Sequence, residues 1–109
     1  MQYTEFPGIG LHVSRFGMGC MRLPKTEETS GKSAIDEKEA VKMIRYAADN
    51  GVNYFDTAYA YTGSEEVLGK ALEGDLRKKV NIATKCPTWD VKNKEDFDRF
   101  LKEELSRLR

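Results

Sequence analysis

VNYFDTAYAYTGSEEVLGKAL, residues 52–72, changes its hydrophobic period once, and that change decides the fold. Val52 to Asp56 is a short run of apolar and aromatic residues ending on a carboxylate, which predicts a strand. Thr62-Gly63 marks a loop. Ser64 stands where an N-cap is expected, and Glu65 and Glu66 fall in the first helical turn, where the helix dipole favours acids. Val67, Leu68, Ala71 and Leu72 then give the helix an apolar face, and Gly74 is expected to end it. The stretch reads as strand, loop, helix.

The same unit appears on both sides of it. Upstream, TEF and LHV flank Pro7-Gly8-Ile9-Gly10, which predicts a hairpin over about residues 2–14. RFGMGCMRL, residues 15–23, is a glycine-punctuated apolar run expected to form a buried strand ending near Cys20. PKTEETSGKSAI, residues 24–35, is a polar loop. Asp36 offers an N-cap with Glu39 at the capping-box position. Ala40, Ile44, Ala47 and Ala48 recur at helical spacing, flanked by Val41 and Met43, and Asn50-Gly51 terminates the helix. Downstream, Val80 to Thr84 reads as a strand apolar enough to be buried on both faces. CPTWDVKN is a loop, and Asn93 caps a last helix with Phe97, Phe100, Leu101, Leu105 and Leu108 on one stripe. The order is a hairpin, then β-α-β-α-β-α. Strands alternating with helices imply crossovers and a parallel sheet.

The bulk numbers narrow the function classes. The 109 residues suit one small domain with a core of its own. Basic and acidic residues balance at 18 each, which gives no reason to expect nucleic acid or an anionic membrane. No apolar stretch approaches the ~20 residues of a membrane span, and MQYTEFPGIG does not read as a signal peptide. Cys20 and Cys86 lie far apart and in no metal-ligand spacing, so a reduced, cytoplasmic setting is expected. Gly17-x-Gly19 lacks the third glycine of a dinucleotide fingerprint.

In parallel α/β proteins, chemistry gathers at the carboxyl ends of strands. The strand assignment puts Gly19-Cys20-Met21-Arg22, Asp56 and Lys85 at three such ends, with Tyr61 in the loop after the second. A phenol titrates near ~10 unperturbed, and a buried cation beside it favours phenolate, so the phenol could serve as an acid nearer neutral pH. The carboxylate would hold that cation. Each residue also has an ordinary alternative: Asp56 as a loop cap, Tyr61 as packing, Lys85 as a solvated cation. Their convergence on one rim favours function. His12, the only histidine, is expected on the surface, and both cysteines as small buried residues. Trp89 either lines a pocket or covers the core.

FDTAYAYTGSEEVLGKAL closely resembles the aldo/keto reductase signature around that family's catalytic aspartate and tyrosine. IATK resembles its catalytic-lysine strand, FGMGCMRLP its first barrel strand, and the hairpin the plug at the barrel bottom. FDRFLKEELSRLR looks like the segment preceding the strand that carries the catalytic histidine, which is expected shortly after Arg109. CMRLP with TKCPTWDVKNKEDFDRFLKEELSRL is closest to a prokaryotic branch whose members often carry a C-terminal iron–sulfur region, and any such cluster would lie outside these residues.

The resemblance implies a (β/α)8 TIM barrel that reduces aldehydes or ketones with NADP(H) or NAD(H). Carried over, Tyr61 would protonate the carbonyl oxygen, Lys85 would lower the phenol's pKa, and Asp56 would pair with Lys85. Gly19, Cys20, Met21, Arg22 and Asp56 would approach the cofactor, while Trp89 and Met21 would belong to the substrate wall. A complete barrel takes ~250 residues, so residues 1–109 are expected to be one partial domain holding the hairpin and three βα units. Alone, that piece is expected to be inactive and to self-associate through open strand edges. A non-catalytic cofactor-binding or interaction module, and an inactive truncated fragment, are the alternatives.

Overall fold

The computed structural model describes residues 1–27 and 34–109. An antiparallel hairpin, β1 (Tyr3–Phe6) and β2 (Leu11–Ser14), precedes a three-stranded parallel sheet in the order β3 (Met18–Gly19), β4 (Tyr54–Asp56), β5 (Asn81–Ala83). Met18 pairs with Phe55 and Gly19 with Asp56; Phe55 pairs with Ile82 and Asp56 with Ala83. This alignment brings the three carboxyl ends to one level. Helix α1 (Glu37–Asp49) links β3 to β4, while α2 (Ser64–Ala71) and a short α3 (Asp75–Lys79) link β4 to β5. A 3-10 turn (Thr88–Asp90) and α4 (Lys94–Leu108) follow. The expected hairpin, parallel sheet and three βα units are all present, and the barrel is not closed. No described helix is long and apolar enough to cross a membrane.

Helix α1 forms for the reasons legible in its sequence. The Asp36 carboxylate accepts from the Glu39 N–H at 3.1 Å, and Ala40 and Ile44 are buried. Only half of the capping box exists, because the Asp36 N–H goes to the Pro24 carbonyl and Glu39 pairs with Lys42. At the other end Gly51 takes φ +95°, and the N–H groups of Gly51 and Val52 return to the carbonyls of Ala48 and Ala47. That is a Schellman stop, which a Cβ at Gly51 would strain. The loop expected over 24–35 is seen only at its ends, where Lys25 bridges Ile35; residues 28–33 lie outside the described residues.

Asn53 fastens the hairpin to the amino end of the sheet. Its side chain accepts from the Ser14 N–H at 2.7 Å and donates to the His12 carbonyl at 2.8 Å. The hairpin therefore sits at the opposite end of β4 from Asp56. His12 is exposed, as expected. The core between sheet and helices is built on Phe55, Ile44, Leu68, Leu72, Ala71 and Cys20.

Several boundaries differ from the sequence reading. The strands are shorter: the first is Met18–Gly19, Val52 and Asn53 precede β4, and Val80 and Thr84 flank β5. β5 is half-buried, not enclosed on both faces, because Ile82 borders a hollow of about 380 Å³ shared with Phe6 and Leu11. Gly63, at φ +78°, is the N-cap of α2, and Ser64 is already helical because its hydroxyl is used inward. Helix α2 ends before Gly74, which instead heads α3.

The apolar stripe of α4 is split. Phe100 and Leu108 are buried together with Glu104, while Phe97, Leu101 and Leu105 stay exposed. The two rows adjoin on the helix, and only one meets α2. The approach there is close: a Cβ on Gly69 would lie 2.3 Å from the Arg107 carbonyl oxygen.

Candidate active site

Asp56 ends β4, and Lys85 lies two residues beyond β5, next to it in the sheet. The Lys85 ammonium donates to Asp56 Oδ2 at 2.7 Å and to the Thr57 carbonyl at 2.8 Å. Its Nζ stands 5.1 Å from the centre of the Tyr61 ring. The intervening loop is held by its own backbone: the Tyr61 N–H donates to the Ala58 carbonyl, and the Tyr61 carbonyl accepts from the Ser64 N–H. The loop is also tied to β5, since Thr57 N–H donates to the Ala83 carbonyl and Tyr59 N–H to that of Lys85. Asp56, Tyr61 and Lys85 therefore share one rim, with Gly19 paired directly to Asp56.

The cation is not buried as expected: the side chains of Lys85 and Asp56 are 50% and 42% exposed. Partial burial pulls the Lys85 pKa down, but the hydrogen bond and charge of Asp56, followed by the Tyr61 phenol, outweigh it and raise the net value. Lys85 thus carries a firm positive charge between a carboxylate and a phenol.

The remaining candidates divide. A Cβ on Gly19 would meet nothing within 4 Å, so the backbone there is open to close approach by a ligand. Met21 and Arg22 are exposed on the same rim, and Met21 and Tyr61 border a hollow of about 780 Å³. Cys20 is different. Its side chain is fully buried, its N–H donates to the Asp56 carbonyl and its carbonyl accepts from Ser64. Burial, then the charge of Asp56, pushes its thiol up to about 12. Cys86 is half-buried, not buried, and its thiol is also raised, by burial and then by Glu104. Neither thiol is poised as a nucleophile. Trp89 is 72% exposed, so it does not cover the core. Among the described residues, no group of three or more His, Cys, Asp or Glu could hold a metal ion.

Two further polar groups lie close to this rim, and the sequence reading gives Ser64 and Glu65 only helix-start roles in them. Thr57 and Ser64 are buried and hydrogen-bonded to each other at 2.8 Å. Behind β5, buried Glu65 accepts from the Thr84 hydroxyl at 2.6 Å and pairs with Arg107 at 3.1 Å. Polar residues at positions of an apolar-patterned strand–helix junction were the available signal.

Residues 15–109 match the sequence profile of the Aldo/keto reductase family. Aldo-keto reductase YhdN of Bacillus subtilis is 37% identical over 100 residues, which cover 89% of this chain and 29% of that protein. Versiconal hemiacetal acetate reductase of Aspergillus parasiticus is 36% identical over 90 residues, covering 79% of this chain and 26% of that one. Among solved structures, aldo-keto reductase AKR11C1 from Bacillus halodurans in its holo form superposes with a TM-score of 0.79 at 29% identity, over 99% of this chain and 36% of that one. An aldo/keto reductase from Klebsiella pneumoniae, solved in complex with NADP and acetate, gives 0.73 at 28% identity, over 93% and 33%. The chain spans about a third of the length of such relatives.

Proposed function

The chain belongs to the aldo/keto reductase family, and on that premise we propose that its rim serves the reduction of aldehydes or ketones to alcohols by the whole protein. The observation that carries this reading is Lys85 Nζ, 2.7 Å from Asp56 and 5.1 Å from the Tyr61 ring centre. A nicotinamide dinucleotide, NADP(H) or NAD(H), supplies the hydride when bound. NADP in the Klebsiella relative supports the phosphorylated form. The open backbone at Gly19 and the exposed Met21 and Arg22 fit such a ligand.

In this reading Tyr61 donates its hydroxyl proton to the carbonyl oxygen of the substrate. The Lys85 cation stabilises the phenolate that remains. Asp56 keeps Lys85 charged and in place. Met21 borders the substrate space, and Trp89 would have to turn in from solvent to join it. Cys20 contributes position and not a contact, since its polar backbone atoms already have partners. The exposed Phe97, Leu101 and Leu105 support self-association of residues 1–109 on their own.

Tyr61→Phe removes only the donated proton. Turnover of an aldehyde, followed by NADPH or NADH consumption, is expected to fall by about 10²–10⁴-fold. Cofactor affinity, from the quenching or enhancement of NADPH fluorescence, is expected to stay near that of the unsubstituted protein. Undiminished turnover in the variant would remove Tyr61 as the acid.

A further inference from the structure

Two buried hydroxyls join the two halves of the rim. Ser64 and Thr57 are 1% and 0% exposed. The Ser64 hydroxyl donates to the Cys20 carbonyl at 2.8 Å. A serine has one O–H proton. With that proton committed, the 2.8 Å contact between the two hydroxyls must run from Thr57 to Ser64. The chain of donation is therefore Thr57, Ser64, Cys20.

Each end of this chain touches the proposed machinery. The Cys20 peptide is held on both sides, by Ser64 at its carbonyl and by the Asp56 carbonyl at its N–H. It sits between open Gly19 and exposed Met21, so its orientation sets the strand end that a cofactor would meet. Thr57 offers its own carbonyl to Lys85 at 2.8 Å. Its N–H is tied to Ala83 at 2.8 Å, so the side chain is the remaining control on how that residue is set.

We propose that Thr57 and Ser64 are positioning residues whose buried hydroxyls lock the Cys20 strand end and the Lys85 cation into one arrangement, coupling cofactor seating to the acid. This rests on the reductase reading above. Loss of the Ser64 hydroxyl strips the Cys20 carbonyl of its donor and Thr57 of its acceptor, while loss of the Thr57 hydroxyl leaves the buried Ser64 oxygen without the donor that fixes it.

The test uses the whole protein with Ser64→Ala, and with Thr57→Val beside Thr57→Ser, which keeps the hydroxyl. Two readouts do not depend on turnover: the Kd for NADPH by fluorescence, and the rate at which an amine-reactive ester labels Lys85, followed by mass spectrometry. Ser64→Ala and Thr57→Val are expected to weaken NADPH binding by about tenfold, the effect of one lost buried hydrogen bond. They are also expected to speed labelling, because an ammonium released from Asp56 surrenders its proton more readily. Thr57→Ser is expected to restore both.

A lower Tm with unchanged Kd and labelling would overturn the proposal, leaving the hydroxyls a packing role. If Ser64→Ala does not fold, the Thr57 pair decides by the same criteria. A wild-type protein that reduces an aldehyde while these variants keep its Kd and labelling rate removes this inference alone. A wild-type protein that neither binds NADPH or NADH nor reduces an aldehyde removes the reductase reading, and this inference with it.

Discussion

Thr84 and Lys85 are consecutive residues, yet each reaches a different carboxylate in a different environment. Lys85 meets Asp56 at 2.7 Å on the rim, with both side chains about half exposed. Thr84 meets Glu65 at 2.6 Å behind the sheet, where Glu65 is 1% exposed and Arg107 pairs with it at 3.1 Å. Alternation at a strand end sends neighbours to opposite sides. One side is open to a ligand; the other braces α2 against α4. Similar contact distances therefore carry opposite consequences. An exposed ion pair contributes little to stability, whereas stripping one partner from a buried pair is costly. The two regions should separate under mutation into one that governs chemistry and one that governs folding.

The largest expected effect is on the bracing side. Arg107 contacts Glu65, Glu66 and Glu103, and its guanidinium lies 4.1 Å over the Tyr59 ring. Arg107→Ala would leave the Glu65 carboxyl buried without its cationic partner and close to Glu104. A loss of about 3–5 kcal/mol is expected in denaturant unfolding of the whole protein. Adding Glu65→Gln should recover part of it, because the unpartnered acidic group beside Glu104 is then gone. A loss no larger than that of a surface pair would put Arg107 with the exposed contacts and dissolve the contrast.

How much of this contrast the chain announced depends on the kind of information. Asp56, Tyr61 and Lys85 were legible because strand ends and a short loop suffice to bring them together. Helix α1 was legible through Asp36, Ile44 and Gly51, all local signals. The bracing cluster was not. Glu65 has the position of a first-turn acid that favours the helix dipole, and nothing local says that α4 will bury it. The α4 stripe failed for a related reason. Periodicity finds Phe97, Phe100, Leu101, Leu105 and Leu108, but the choice of row depends on how closely α2 approaches at Gly69. Ser64 was misassigned because a hydroxyl before an apolar helix reads as a cap, while its partner Cys20 is 44 residues away.

A smaller effect concerns Glu104, which faces Glu65, Thr84 and Arg107. Burial, then the charge of Glu65, raises its pKa above the ordinary value of 4.5, while the Thr84 hydroxyl and Arg107 pull the other way. A carboxyl that keeps its proton to higher pH in the folded state disfavours folding as pH rises through that window. The strain is absent below the ordinary value and fully present above the raised one. Glu104→Gln should thus melt higher than the unsubstituted protein at neutral pH, with the gap closing as pH falls below 4.5. A gap that widens toward acid would mean that Glu104 is ionised and paired in the fold.

The smallest expected effect on stability belongs to the rim. Lys85→Met removes the cation from a half-exposed carboxylate that water can reach, so Asp56 is not stranded in the way Glu65 would be. The Thr57 carbonyl loses one donor at a partly buried position. Stability is expected to change by no more than about 1 kcal/mol. Aldehyde turnover is expected to fall by at least about 10²-fold, because the phenolate left by proton donation has lost its cation. Measuring both on one preparation separates the alternatives. If Lys85→Met lowered Tm as far as Arg107→Ala, the rim pair would be a brace as well. If it spared turnover, the rim would hold a salt bridge and no acid machinery. Full loss of turnover at near-full stability requires the division of labour that the two faces of residues 84 and 85 imply.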